Sequence, residues 1–174
     1  MLEERFGTMR EAWQAGEGGL AGAGLDRKTV QTVVERRASI EPDKEMALLV
    51  KHGGRPITWH DPEYPPRLQE IHLPPAVLYV RGTLIPEDER SVAAVGTRKA
   101  TAYGREAARD LTYGLAQAGV PIVSGLARRI DAVARRAALE AGGRTIAVMG
   151  SGLDIIYPPS MPTWLPRSRA AARW

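Results

Sequence analysis

The sequence contains no cysteine among its 174 residues and no long run of apolar residues. The lack of cysteine excludes a disulfide framework and a thiolate zinc site, and the three histidines, His52, His60 and His72, lack metal-ligand spacing. No apolar run is long enough to span a bilayer, and the first residues lack the basic and then apolar pattern of a signal peptide. These absences predict a cytoplasmic protein with no resident metal and no membrane partner.

The motifs of common nucleotide enzymes are also missing. There is no G-x-G-x-x-G turn, no Walker lysine motif, and no acidic residue at the end of the second predicted parallel strand to bind a ribose hydroxyl. All three histidines precede the predicted parallel sheet, so no Ser/His/Asp set forms there. The residues favour binding over catalysis, and we expect neither an enzymatic activity nor a cofactor.

Basic residues are concentrated in one part of the chain. The formal net charge is only +4, but nine basic residues face four acidic ones between Arg98 and Arg144. Because this excess surrounds the glycine turns described below, it favours an anionic ligand. The alternative is that these arginines lie on helix surfaces and only face solvent.

The first part of the chain, residues 1–55, predicts a small helical region. Apolar spacing indicates helices over residues 3–15 and 26–37, separated by a glycine-rich connector over residues 16–25. Such a pair is typical of helix-hairpin-helix modules, which offer backbone amides to nucleic-acid phosphates, and also of simple packing modules. Both interpretations stay open.

The second part, residues 56–159, predicts an α/β fold. Apolar runs without alternation indicate strands buried on both faces, and they alternate with helical stripes and glycine stops. Strands are predicted at 91–95, 120–123 and 144–149, and helices at 103–118 and 131–141. This βαβαβ order indicates a Rossmann-like parallel sheet with helices on both faces, preceded by the helical region. Residues 160–174 show no period and are expected to be an irregular tail.

Three glycine turns follow the predicted parallel strands. In an open parallel sheet the loops after the strand ends gather along one edge, where glycine amides, hydroxyls and helix N-termini bind phosphate. We therefore expect a phosphate-binding edge formed by Gly96, Thr97, Arg98, Lys99, Tyr103, Gly104, Ser124, Gly125, Arg128, Arg129, Asp131, Gly150, Ser151 and Gly152. For Asp131, at a helix start, a cap or a brace for an arginine is favoured over a catalytic base. Tyr103 is either a stacking aromatic or a core residue.

Several ordered motifs resemble one family. They are Val95-Gly96-Thr97-Arg98 with Tyr103-Gly104, Ser124-Gly125-Leu126-Ala127 with Ile130-Asp131, and Gly150-Ser151-Gly152-Leu153-Asp154 with Tyr157-Pro158-Pro159. Over residues 57–159 the chain resembles the DNA-processing protein A (DprA, or Smf) family, and the helical start resembles that family's sterile-alpha-motif-like or helix-hairpin-helix leader.

This resemblance implies a single-stranded DNA-binding protein that loads the RecA recombinase during natural transformation and usually forms a homodimer. It also implies phosphate contacts from Gly96, Thr97, Arg98, Ser124, Gly125 and the neighbouring basic residues.

The chain departs from the family pattern in two ways. Arg129 and Arg135 stand where the family usually has glycine and histidine. If the glycine position needs a positive φ, arginine there costs on the order of 1–2 kcal/mol and narrows the pocket; alternatively, both arginines strengthen a phosphate clamp. The family pattern also stops after Pro159. A truncated chain is therefore expected, with dimer formation and RecA loading in doubt.

Two other functions stay open. One is a nucleotide-binding enzyme or sensor related to the Lonely Guy phosphoribohydrolases, although their Pro-Gly-Gly-x-Gly-Thr loop is not found in the sequence. The other is an inert remnant that binds nothing.

Overall fold

The chain divides into two compact units, Met1–Leu48 and Leu49–Trp174. The structure is a computed structural model and describes residues 2–97, 99–125, 130–153 and 170–173. The sequence pattern predicts the division at residues 55–56, whereas the structure places it inside a helix that starts at Pro42. None of the helices in the described residues is both long and apolar enough to cross a membrane.

The first unit is helical, as the sequence predicts. Its buried apolar side chains are Ala12, Leu20 and Val30. The helices are α1 Leu2–Phe6, α2 Met9–Gln14, α3 Glu17–Gly22 and α4 Arg27–Arg37, followed by α5 Pro42–Lys51 across the division.

Local capping explains where these helices begin. The single helix predicted over residues 3–15 is wrong, because Gly7 has a φ of 81° and separates α1 from α2. Thr8 then caps α2, its Oγ1 accepting a hydrogen bond from the Glu11 N–H at 3.1 Å. Asp26 caps α4 in the same way, with the Thr29 N–H donating to Oδ1 at 3.0 Å, which confirms the predicted start of that helix.

The second unit contains a six-stranded sheet in the order β1-β2-β6-β5-β4-β3. Strands β3, β4, β5 and β6 are parallel to one another, while β1 pairs with β2 and β2 with β6 in antiparallel fashion. The predicted Rossmann-like parallel sheet is confirmed. The strands are β1 Gly54–Thr58, β2 Val77–Gly82, β3 Val92–Ala93, β4 Ile122–Gly125, β5 Thr145–Val148 and β6 Ala170–Arg173.

Strand β6 corrects the prediction that residues 160–174 form an irregular tail. Residues Ala170–Arg173 fill the position between β2 and β5 and pair with both strands. Three consecutive alanines give neither polar alternation nor a high strand propensity, so their sequence carries no strand signal. The pairing follows from the N–H and C=O groups of β2 and β5 that would otherwise lack hydrogen-bond partners, and these groups face each other only once the sheet is assembled.

Helices flank the sheet on both faces. On one face lie α7 Ala102–Gln117 and α8 Ile130–Glu140, and Ala116, Ile122 and Ala138 form a buried cluster between these helices and β4. The other face is bordered by α6 Pro66–Gln69, the 3-10 helix Pro86–Arg90 and the prolines near Tyr64. A cavity of about 470 Å³ lies on this second face.

A largely buried ion pair joins the 3-10 helix to the beginning of β5. The Arg144 guanidinium donates to both carboxylate oxygens of Asp88, at 2.5 Å from Nε and 2.7 Å from Nη2. Nη2 also donates to the Thr83 carbonyl at 2.5 Å, and the Ile85 N–H donates to Asp88 at 2.9 Å. This network satisfies the partly buried charges and fixes the chain that leads into β3.

The loop after β3 packs directly against the first residue of α8. A Cβ placed on Gly96 would lie 2.8 Å from the Cβ, Cγ1 and Cγ2 atoms of Ile130. Those three atoms belong to a β-branched side chain at the helix start, so no single rotation moves all of them away. Only glycine fits at residue 96 without a shift of the loop or of the helix.

We predict that Gly96→Ala lowers the free energy of unfolding by about 1–3 kcal/mol, because the added methyl group overpacks the contact with Ile130. Urea denaturation of the purified chain measures the change. Gly150→Ala is the matched control, since a Cβ there meets no atom of the described residues within 4 Å. Equal stability of the two variants would contradict the close packing described at Gly96.

Candidate functional site

The glycine turns after the parallel strands meet around the first turn of α8. Gly96 contacts Ile130, and a Cβ on Gly125 would lie 3.1 Å from Asp131 Oδ2 and 3.6 Å from the Val148 carbonyl oxygen. The structure thus brings the ends of β3, β4 and β5 to one edge, as the sequence predicts. After β5 come Gly150, which is exposed, and Ser151 and Gly152, which are half-buried. Arg98, Arg128 and Arg129 lie outside the described residues.

The first loop presents polar groups to solvent. Thr97 and Lys99 are exposed, and the Lys99 N–H donates to Thr97 Oγ1 at 3.1 Å. That bond uses the hydroxyl oxygen as an acceptor and leaves its hydrogen available to donate to an anion. The loop therefore offers a hydroxyl donor and, two residues further along, an exposed lysine side chain.

Helix α7 begins immediately after this loop. Thr101 caps it by accepting a hydrogen bond from the Gly104 N–H at 3.0 Å. The helix is sixteen residues long, so its N-terminus carries the partial positive charge of a regular helix dipole. A phosphate near the Thr97 hydroxyl would be stabilised by that charge.

Tyr103 lies in the first turn of α7 and is 80% exposed. The sequence leaves open whether this ring belongs to the core, and the structure excludes that alternative. An exposed phenol ring beside the loop of Thr97 and Lys99 offers a flat face on which a nucleobase can stack.

Ser124 differs from its predicted role. Its side chain was expected to add a hydroxyl donor to the second loop, but it lies in β4 and is only 2% exposed. Its Oγ has no hydrogen-bond partner in the described part of the chain. The strand extends through Gly125, so the parallel ladder with β5 draws Ser124 into the interior and its hydroxyl is not presented at the loop edge.

Asp131 and Arg135 are buried one helical turn apart in α8, at 5% and 2% exposure. Burial lowers the pKa of the Arg135 guanidinium to about 10, while the negative charge of Asp131 acts in the opposite direction. Because Asp131 is covered and negatively charged, it would oppose a phosphate rather than bind one. The interpretation of Arg135 as a phosphate clamp does not fit its burial inside the helix packing.

Part of the basic excess serves the fold. Arg144 is bound to Asp88, and the exposed Arg109 lies 3.7 Å from Glu140 and 3.5 Å from Asp110. Arg105 donates to the Ala100 carbonyl at 2.8 Å and so supports the loop before α7. A count of charges along the sequence cannot separate these structural arginines from ligand-facing ones. Among the described residues, Lys99 is the exposed basic side chain within the first loop.

Curated relatives match most of the chain but extend well beyond it. Protein Smf of Synechocystis is 37% identical over 163 residues, which cover 91% of this chain and 41% of the relative. A putative DNA processing protein DprA of Mycobacterium tuberculosis is 42% identical over 127 residues, covering 66% of this chain and 33% of the relative. The chain therefore spans less than half the length of these relatives.

Two solved structures have similar folds. DNA processing protein A of Streptococcus pneumoniae superposes with a TM-score of 0.73 and 31% identity, covering 90% of this chain and 55% of that one. DNA processing protein A of Helicobacter pylori, described for its single-stranded DNA binding mode, gives a TM-score of 0.58 and 28% identity, covering 68% and 55%.

The family assignment follows from the larger part of the chain. The family model described as DNA recombination-mediator protein A matches residues 55–170, which include strands β2 to β5 and all three glycine turns. The resemblance predicted from the sequence motifs is thereby confirmed, and the chain belongs to the DNA recombination-mediator protein A family.

Proposed function

We propose that the chain binds single-stranded DNA in the cytoplasm at the edge formed by the ends of β3, β4 and β5, without catalysing a reaction. The observation that carries the proposal is the exposed loop of Thr97 and Lys99 next to the exposed ring of Tyr103. This pairing of an anion site with a stacking face suits a strand that presents phosphates and unpaired bases together. The single-stranded DNA binding described for the Helicobacter pylori relative supports the same ligand.

Phosphate and base contacts have separate roles in this proposal. The Thr97 hydroxyl, the Lys99 ammonium group and the N-terminus of α7 bind the sugar-phosphate backbone and carry no sequence information. Tyr103 stacks on a base, which a duplex keeps inside its own stack. The combination favours single strands over duplex DNA and tolerates any sequence.

Binding at this edge uses the residues of one copy of the chain. Binding therefore does not require the homodimer that the family resemblance implies. The side of the bound DNA that faces away from this chain stays accessible to a second protein.

We predict that Arg98→Ala and Lys99→Ala each weaken binding to a labelled single-stranded oligonucleotide by about tenfold, because each removes a charge-assisted phosphate contact. Fluorescence anisotropy at two salt concentrations measures this effect. Each variant should also reduce the slope of log affinity against log salt by about 0.7.

The matched control is Arg109→Ala, which removes an exposed arginine of α7 that lies beside Glu140 and Asp110, away from the loop. Its affinity should equal that of the unchanged chain. A similar loss in all three variants would mean that binding follows overall charge, and the proposed edge would then be wrong.

A competition experiment tests the alternative function. If a free mononucleotide displaces the oligonucleotide, the result would favour a nucleotide-binding enzyme or sensor instead.

Tyr103 allows a test of the stacking contact. Tyr103→Ala should weaken oligonucleotide binding by about 1–3 kcal/mol, since it removes the ring from one base. Tyr103→Phe keeps the ring and should bind as the unchanged chain does. The side chain is 80% exposed, so neither change should alter the thermal midpoint of unfolding. Weak binding by both variants would assign the effect to the hydroxyl and refute stacking.

We further propose that the DNA-bound chain assists the RecA recombinase during DNA uptake. The family description as a recombination mediator supports this role, although the chain spans only part of its relatives. The chain should shorten the lag of RecA-dependent ATP hydrolysis on single-stranded DNA coated with a single-strand-binding protein. If the lag is unchanged while the chain still binds DNA, the role in RecA loading is refuted and DNA binding stands.

A further inference from the structure

Three aromatic side chains are exposed in the described part of the second unit. Trp59 and Tyr79 are each 39% exposed and Tyr103 is 80% exposed, whereas Tyr64 is buried and Tyr113 is half-buried. Tyr103 lies in the first turn of α7, Tyr79 lies in β2, and Trp59 directly follows β1. These three residues are far apart in sequence, so the sheet alone decides whether they belong to one surface.

The strand register places Tyr79 at the same edge as the glycine turns. Tyr79 pairs with Arg173 of β6. The residue before Arg173, Ala172, pairs with Val148 of β5, and Val148 pairs with Gly125 of β4. Tyr79 therefore lies one residue beyond the level of Gly125, toward the carboxyl ends of the parallel strands.

Trp59 reaches this edge from β1. Thr58, the last residue of β1, pairs with Val77, which lies two residues further toward the edge than Tyr79. The indole Nε1 of Trp59 donates to His60 Nε2 at 2.9 Å, and the two rings are nearly perpendicular. Because an indole N–H lies in the plane of its ring, this bond uses the edge of the indole and leaves its faces free of His60.

Tyr79 lies on the face of the sheet that carries α7 and α8. It shares that face with Arg81, since side chains alternate along a strand. Arg81 pairs with Ala171, and Ala171 pairs with Ala147, a member of the buried cluster against which Ala132 of α8 packs. The exposed tyrosine in the first turn of α7 is thus on the same face and at the same edge. Single exposed rings are common, but several along a ligand-binding edge indicate a contact surface.

The spacing of the strands gives the length of this surface. Four strand spacings separate β2 from β3 in the sheet. At about 4.8 Å for each spacing, the two strands lie on the order of 20 Å apart. A stacked single strand of DNA advances about 3.4 Å per nucleotide, so roughly six nucleotides cover that distance.

The end of the hairpin formed by β1 and β2 offers little positive charge to a phosphate. The N–H and the hydroxyl of Thr58 donate to Asp61 Oδ2 at 2.7 and 2.8 Å, which lowers the pKa of Asp61 and keeps this carboxyl group charged. Arg55 is bound to Glu63. Aromatic faces, and not cations, are therefore what this end presents to a nucleic acid.

We propose that Tyr79 and Trp59 form a second base-stacking position, so that one single strand of DNA runs along the sheet edge from Tyr103 to the hairpin of β1 and β2. This inference rests on the proposed function, because the loop of Thr97 and Lys99 holds the phosphates of the same strand. It assigns to the chain a ligand of about six or more nucleotides. The second position adds base contacts without adding phosphate contacts.

The test compares two labelled oligothymidylates by fluorescence anisotropy, one of about three nucleotides and one of about twelve, below and above the estimated span. Tyr79→Ala and Trp59→Ala should each weaken binding of the longer oligonucleotide by about tenfold, since each removes a stacking ring. Binding of the shorter one should not change. The slope of log affinity against log salt should also stay the same, because no phosphate contact is lost.

Two control variants separate stacking from an effect on the fold. Tyr79→Phe keeps the ring and should bind both oligonucleotides as the unchanged chain does. Leu111→Ala removes an exposed apolar side chain in the middle of α7 and should also leave both affinities unchanged. Trp59 lies outside the strand ladder, so Trp59→Ala tests the position independently of any loss of stability in Tyr79→Ala.

The outcomes distinguish this inference from the proposed function. Unchanged binding of the longer oligonucleotide by both alanine variants refutes the second stacking position and leaves the loop site intact. An equal loss for both lengths also refutes it, because a strand bound at the loop is too short to reach the hairpin when it has about three nucleotides. If Lys99→Ala and Tyr103→Ala leave binding of both lengths unchanged, the proposed function itself is wrong.

Discussion

Close packing at two glycines holds the candidate site together. Gly96 lies in the loop after β3 and Gly125 ends β4. A Cβ on Gly96 would collide with Ile130, and a Cβ on Gly125 would crowd Asp131, both in the first turn of α8. The parallel pairing of β3, β4 and β5 brings the strand ends to one edge, but this packing decides how far the loops spread. Without it, the loop of Thr97 and Lys99 would have no fixed position relative to α8.

Much of the fold is predictable from sequence because its signals are local. The apolar runs of β4 and β5, the helical stripes of α7 and α8 and the cap at Asp26 each act within a few residues, and the structure confirms them. The run at residues 91–95, predicted to be a strand buried on both faces, forms only the two-residue strand β3, and both of its residues are exposed. The failures have long-range or single-residue causes. A positive φ at Gly7 divides one predicted helix into two, and β6 forms only because β2 and β5 leave a position between them.

The candidate site is less predictable than the fold. Sequence spacing correctly places the glycine turns at one edge, but it cannot tell a surface hydroxyl from a buried one, as Ser124 demonstrates. Charge counting has a similar weakness. Arg135 is buried near Asp131 and Arg144 is bound to the largely buried Asp88, whereas Lys99 remains exposed in the loop. Burial distinguishes structural basic residues from those that can reach a ligand, and burial depends on how the whole unit packs.

The position of β6 has a consequence for how the chain folds during synthesis. β6 is the last described element along the chain, yet it joins β1 and β2 to β5, β4 and β3 within the sheet. Until Ala170–Arg173 have left the ribosome, the hairpin of β1 and β2 and the parallel strands cannot be joined into one sheet, because β6 pairs with both β2 and β5. Pairing between strands that are distant in sequence is slow to form. The edges of β2 and β5, which lie at the centre of the finished sheet, are therefore the last to be covered as the chain is made.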